Sequence, residues 1–201
     1  NGSKFFKDSF YNLSPQNYSE AAFMSARSAN LKGLKEMIAS KGVSPKASFN
    51  PGKGPISLTN VVTNTGNAEG LEYLLKRGAP VGESEFAAAI IGGRIPVLRV
   101  LMKEASSSFK IHYLDYTLGE NGISSLKYYI EEKKVPVNQR ITTDGMTLLH
   151  IAAVVGHLEA ARYLVSKGAD TSLKSYKGGT PLAYAKGHEQ EEMIRYFESL
   201  E

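Results

Sequence analysis

Thirty-three residues, Asp144 to Tyr176, constrain this chain more than any other stretch. They read DGMTLLHIAAVVGHLEAARYLVSKGADTSLKSY. Asp144-Gly145 is a turn signal, because glycine accepts a positive φ without steric cost. Thr147 is placed to cap a helix N-terminus. Leu148, Leu149, Ala152 and Ala153 then form a small apolar face at helical spacing. Gly156 stops that helix, and His157 follows in a connecting turn. Glu159 opens a second helix, whose Ala160, Ala161, Tyr163 and Leu164 can pack on the first. Gly168-Ala169-Asp170 ends it. Such a unit cannot bury its apolar face alone, so neighbours of the same kind are expected along the chain.

They are found. Gly66-Asn67-Ala68-Glu69 and Leu74-Leu75 match the pattern 90 residues upstream. Gly93, Arg99 and Leu101 match at an offset of 63. Tyr116 and Tyr129 match more loosely at an offset of 35. Gly178, Thr180, Leu182, Ala185 and Glu192 match 33 residues downstream, and Gly187-His188 there falls two residues short of the bend, which predicts a tighter turn. Ala21, Ala22, Phe23 and Ala26, then Leu34, Met37 and Ile38, make a degenerate first unit. One buried anchor is expected in each second helix: Met37, Leu74, Leu101, Tyr129, Leu164 and Phe197, spaced 37, 27, 28, 35 and 33 residues apart.

The sequence D-G-x-T-x-L-H-x-A-A, then G-H-x-E, then K-G-A-D, resembles the ankyrin repeat, a turn and two antiparallel helices in about 33 residues. The resemblance implies an all-α solenoid of about six repeats, at roughly 14–43, 52–80, 81–108, 109–138, 139–171 and 172–201. Residues 1–13, with Phe5, Phe6, Phe10, Tyr11 and Leu13, read as an aromatic N-terminal cap. Ser14-Pro15 reads as a helix start, and Val43 to Pro55 as a mobile Pro/Gly loop. The last helix is acidic on its outer face, as suits a solvated end of the stack.

Composition narrows the chemistry. There are no cysteines, which excludes disulfides, thiol catalysis and Cys-based zinc sites. No apolar run approaches a membrane span, so a soluble protein is expected. Cytoplasm and periplasm both remain open. The first residue is Asn1, which reads either as the product of a removed leader or as a tag remnant. Residues 1–48 carry 7 Lys/Arg against 3 Asp/Glu, and residues 144–201 carry 6 against 8. That gradient is far weaker than a nucleic-acid-binding stripe.

No catalytic constellation emerges. His150 matches the family's T-P-L-H histidine, with Leu148 in place of Pro, and the resemblance gives it hydrogen bonds within and between turns. His157 is the bend histidine. The end of the helix between them argues against a two-His metal site. Gly178-Gly179-Thr180-Pro181 lacks the spacing of a phosphate loop. No catalytic residue, cofactor or metal is assigned.

What remains is a binding surface. The resemblance implies that turns and first helices line a concave face that engages a partner protein. Register places Met24, Arg27, Val61, Asn64, Ile91, Tyr116, Glu120, Ile151, Val154, Val155, Tyr184 and His188 on that face. Thr143, Met146 and Tyr176 lie at the turn tips. Apolar side chains at Ile151, Val154 and Val155 would suit a partner site. A monomeric, non-enzymatic binding module is the leading reading, and its sharper form inhibits an enzyme in self-protection. Two alternatives are a pocket enzyme built on His112, Tyr113, Asp115 and Tyr116, and a weak nucleic-acid binder using the basic N-terminal half.

Overall fold

A computed structural model describes residues 18–50, 55–104, 115–119 and 122–200. The expected aromatic cap, the Ser14-Pro15 helix start, His112, Tyr113 and Glu120 lie outside them. Of Tyr116 the backbone alone is described. The chain divides into two compact units. Unit one holds the described residues up to Ala89 together with Pro96–Glu104, and unit two holds Ile90–Ile95 with the described residues from Asp115 onward.

Unit one contains helix pairs α1 (Tyr18–Arg27) with α2 (Leu31–Ala39) and α3 (Leu58–Asn64) with α4 (Ala68–Leu75). The helix α5 (Glu83–Ile91) begins in it, and α6 (Ile95–Glu104) lies almost wholly within it. The segment expected to be a mobile loop, Val43 to Pro55, contains the strand β1 (Ser48–Phe49), which pairs antiparallel with β2 (Ile56–Ser57) just beyond it. Helix α1 packs on α2 and α3, and α4 packs on α2 and α3.

In unit two, a 3-10 turn (Asp115–Leu118) precedes α7 (Ile123–Lys127), which continues as a π turn (Tyr128–Glu132). The wider turn is carried by the Lys133 amide donating to Tyr128 O at 3.1 Å. Two regular pairs follow: α8 (Leu148–Val155) with α9 (Leu158–Ser166), and α10 (Pro181–Gly187) with α11 (Glu191–Glu198). First helix packs on first helix, α8 on α10, and each packs on its own second helix.

The six expected anchors, Met37, Leu74, Leu101, Tyr129, Leu164 and Phe197, are all buried. A Leu→Ala change at such a buried site typically destabilises by about 2–5 kcal/mol.

The bends share one geometry. Asn30, Asn67, His157 and Gln190 each donate a backbone N–H to the carbonyl five residues earlier, at 2.8–3.0 Å. The residue before each has a positive φ: Ala29, Gly66, Gly156 and Glu189. At Gly156 a Cβ would also stand 2.2 Å from Gln190 Oε1, because the Gln190 side chain donates to Val154 O at 3.2 Å. Three of the residues that follow the bend cap the second helix. Asn30 Oδ1 accepts from Gly33 N, Asn67 Oδ1 from Gly70 N and His157 Nδ1 from Ala160 N.

Repeat six corrects the expectation of a tighter turn. Its bend has the standard length, and Glu189, not Gly187, takes the left-handed position (φ 56°). Helix α10 simply runs on through Gly187. Likewise Lys134 (φ 55°) occupies the exit that Gly42, Gly78 and Gly168 occupy elsewhere. A non-glycine residue in this region costs about 1–2 kcal/mol, partly offset by the larger unfolded-state entropy of glycine. Glu189→Gly and Lys134→Gly should therefore each raise stability, by roughly 0.5–1 kcal/mol in denaturant melts. A loss at both positions would show that local side-chain contacts, not backbone strain, decide them.

The outer helices are joined by tyrosine–cation contacts in register. In unit one Lys35 and Arg77 flank the Tyr73 ring, at 5.5 and 3.8 Å from its centre. In unit two Lys127 and Lys167 flank Tyr163, and Arg162 lies over Tyr196 at 4.6 Å. Tyr163 also donates to Glu131 Oε1, which Lys167 Nζ contacts at 2.9 Å. Burial and the Glu131 carboxylate push the Tyr163 phenol up to about 12. The contacts of Lys35, Lys127 and Arg162 tie neighbouring outer helices together, each worth about 0.5–1 kcal/mol at an exposed site.

Candidate partner-binding face

The best-formed part of the face is the pair of turns and first helices at 139–155 and 171–188, all in unit two. Its rigidity begins at His150. His150 is third in α8, after the capping residue Thr147. Its Nδ1 accepts the Thr147 backbone N–H at 3.2 Å and lies 2.8 Å from the Thr147 hydroxyl. Nδ1 therefore carries no proton, and Nε2–H donates to Gly179 O at 3.2 Å, in the next turn. This tautomer is assigned from the hydrogen-bond network. The histidine thus serves both within and between turns, as the resemblance implied.

Burial holds the His150 imidazole below its ordinary value, with backbone acceptors at Gly179 and Leu173 opposing the shift and Arg140 adding to it. The unfolded chain takes up this proton first. Stability from His150 is therefore complete above about 6.5 and is lost as pH falls from there through the lowered folded value. Unfolding free energies measured from pH 7 downward should decline in that window, and the decline should vanish in His150→Leu. An unchanged slope in the variant would assign the effect to other groups.

The turn tips are equally constrained. Ile141 N donates to Met146 O at 2.8 Å, Ser175 N to Gly179 O at 2.9 Å, and Tyr176 N to Asp144 O at 2.8 Å, which joins tip to tip. The Arg140 guanidinium lies 4.8 Å from the Tyr176 ring centre. It donates to Gly145 O, and to Lys174 O at 2.9 Å. A Cβ at Gly145 would stand 2.7 Å from the Tyr176 ring, and Gly145 has φ +72°. Glycine is needed here on both counts. Lys177 contacts Asp144, and that contact raises the Lys177 ammonium. Tyr176 is nonetheless 71% exposed.

The expected face residues divide between the units. Unit one carries Met24 (50% exposed) and Arg27 on α1, with half-buried Val61 and exposed Asn64 on α3. The Asn64 amide donates to Asn60 O and Oδ1, at 2.9 and 2.8 Å. Unit two carries Ile91 (42% exposed), and on α8 half-buried Ile151 and Val154 with Val155 at 53%. Thr143 is exposed, Met146 half-buried and His188 exposed. Tyr184 is half-buried because it also serves the scaffold. Its hydroxyl lies 3.0 Å from Ser175 Oγ, and its ring meets His150 edge-on at 5.7 Å. Four of the five large apolar residues recorded as exposed, Met24, Ile91, Val155 and Tyr176, belong to the expected set. Arg140 was not expected, since its sequence position gives no sign that it underlies Tyr176.

Asp115, from the pocket-enzyme reading, is exposed. Among the described residues no three His, Asp or Glu side chains gather in a way that could hold a metal. No helix among them is long and apolar enough to cross a membrane.

The family model for ankyrin repeats, in three copies, matches residues 114–198. Residues 114–198 are ankyrin repeats. Alpha-latrocrustotoxin-Lt1a of Latrodectus tredecimguttatus is 25% identical over 180 residues, 78% of this chain and 12% of the toxin. The NF-kappa-B inhibitor cactus of Drosophila yakuba is 31% identical over 125 residues, 57% of this chain and 24% of cactus. The chain thus spans a quarter or less of the length of these curated relatives. A chain from the solved complex of a predatory endopeptidase from Bdellovibrio bacteriovorus with an immunity protein shares the fold at a TM-score of 0.61. That match is 20% identical and covers 90% of this chain and 98% of the other.

Proposed function

We propose that this chain is a non-enzymatic binding module that engages an enzyme through the turn-and-first-helix face of unit two, and inhibits it as a self-protection factor. One observation carries the reading. Val155 and Tyr176 stand exposed on a scaffold whose turns are fixed by backbone hydrogen bonds. Exposed apolar and aromatic side chains on rigid supports make good binding anchors, because little entropy is lost on docking. The expected contact set is Thr143, Met146, Ile151, Val154, Val155, Tyr176, Tyr184 and His188, joined by Tyr116. Met24, Arg27, Val61 and Asn64 form a second contact set in unit one. Two likenesses support the inhibitory form: the immunity-protein complex in fold, and cactus, named an inhibitor, in sequence.

The test is to capture the partner from source cells on the immobilised chain and to assay it with and without added chain. The expected result is a captured enzyme whose activity falls stoichiometrically. A captured protein with unaltered activity would leave a binder without inhibition. Turnover of any substrate by the chain itself would contradict the reading.

A further inference from the structure

The turn-and-first-helix face of unit two is electrically distinct from the outer helices of the same unit. Residues 139–155 and 171–188 carry four cations, Arg140, Lys174, Lys177 and Lys186, against the acid Asp144, with the acids Asp170 and Glu189 at the borders of the second segment. The outer helices α9 and α11 carry the acids Glu159, Glu191, Glu192 and Glu198 against Arg162 and Arg195. The one acid of the inner face is held by Lys177. Among the described residues the Lys174 ammonium has no carboxylate partner. Lys186 reaches outward to Glu198 at 2.8 Å.

Beside Tyr176 lies a shallow groove of about 260 Å³, lined by Lys177, Gly179, Ala183, Tyr184, Gly187 and His188. None of the six is acidic. Two glycines and an alanine keep it low-walled, and the Tyr184 ring forms one side. The groove's polar side chains are the His188 imidazole, the Lys177 ammonium, which also contacts Asp144, and the Tyr184 phenol, which lies 3.0 Å from Ser175 Oγ. The exposed apolar residues Val155 and Tyr176 belong to the same two turn-and-helix segments.

Resting on the functional reading above, we infer that the partner presents an acidic segment to this face. Its carboxylates sit near Lys174 and in the groove by Lys177 and His188, and an adjacent apolar side chain packs on Tyr176. Charge complementarity selects this occupant, since rim charges of one sign steer a partner of the other and reject like-charged ones. A nucleic acid fits less well. Its affinity grows with the number of phosphates neutralised, and this face offers few free cations next to apolar side chains, with a net acidic set of helices behind them.

The test uses a random peptide library displayed on phage, selected on the full chain, followed by anisotropy titration of the enriched peptides. The inference expects enrichment of Asp and Glu beside an apolar residue. Affinity should fall about tenfold in a Lys174→Glu/Lys177→Gln variant and also as salt is raised. Retained cooperative melting of the variant shows that it is folded. Enriched peptides that are neutral or basic, yet lose affinity in Tyr176→Ala, would overturn the acidic occupant and leave the binding face standing. Peptides indifferent to every substitution on this face would overturn both. Binding of a labelled duplex oligonucleotide that competes with the peptides would also overturn it, as would a library that yields no enriched sequence.

Discussion

Replacing His150 by leucine is expected to destabilise unit two by about 2–3 kcal/mol, because the buried Thr147 N–H loses its acceptor and the Gly179 carbonyl loses one of its two donors. The ring accepts the Thr147 N–H and is a second donor to the Gly179 carbonyl, beside the Ser175 N–H. Leucine fills a similar volume and can pair with neither. The Thr147 hydroxyl would also lose its acceptor. The effect should reach beyond α8, because Gly179 belongs to the following turn and Tyr184 rests edge-on against the ring. Hydrogen exchange should show loss of protection in both turns, 139–147 and 172–180. A change confined to the first turn would mean that the Nε2 bond contributes little.

Glu85 does the corresponding work in unit one, and Glu85→Leu should cost about 2–3 kcal/mol by the same argument. Glu85 is only 5% exposed. Its Oε2 accepts the Gly82 N–H and the Ser84 hydroxyl, each at 2.9 Å. Its Oε1 accepts the hydroxyls of Ser57 and Thr59, each at 3.1 Å. Like His150 it stands third in its helix and reaches back to the residue before the first turn, the geometry of a capping box. It differs in direction, since it grips the preceding repeat where His150 grips the following one. Glu85→Gln keeps the shape but offers a poorer set of acceptors, so it should be milder than leucine in urea melts. Equal losses for the two variants would point to packing, not hydrogen bonding.

These two residues show how far the sequence could be read. His150 was legible because its repeat is regular, and the register that names it also names Thr147, whereas its bond to Gly179 O is seen only in three dimensions. Glu85 was not. Helix α5 starts two residues earlier relative to its bend than α8 does, so the register that aligns Gly93 with Gly156 sets Glu85 against the wrong position. The anchors were legible for a simple reason: a second helix needs one large buried side chain per repeat, and the spacing of Met37, Leu74, Leu101, Tyr129, Leu164 and Phe197 reports it directly. Glu189 and Lys134 were missed because glycine is the usual mark of a left-handed residue. At these sites the surrounding hydrogen bonds impose that conformation on a residue that resists it.

The candidate face was legible in part. Exposure of Met24, Ile91 and Val155 follows from helical register, and that of Tyr176 from its place at a turn tip. The partial burial of Tyr184 does not, since it depends on contacts with Ser175 and His150 in three dimensions. Nor does the support that Arg140 and Gly145 give Tyr176, which makes an exposed aromatic into a fixed anchor.

The most direct measurement is side-by-side capture of the partner by the native chain, by a Val154→Glu/Tyr176→Ala variant, and by a Tyr196→Ala variant altered only on the outer helices. All three are first checked for cooperative melting. The account predicts that the native chain and the outer-helix variant retain the partner and that the face variant loses it. Equal capture by all three would contradict the assignment of binding to the turn-and-first-helix face of unit two.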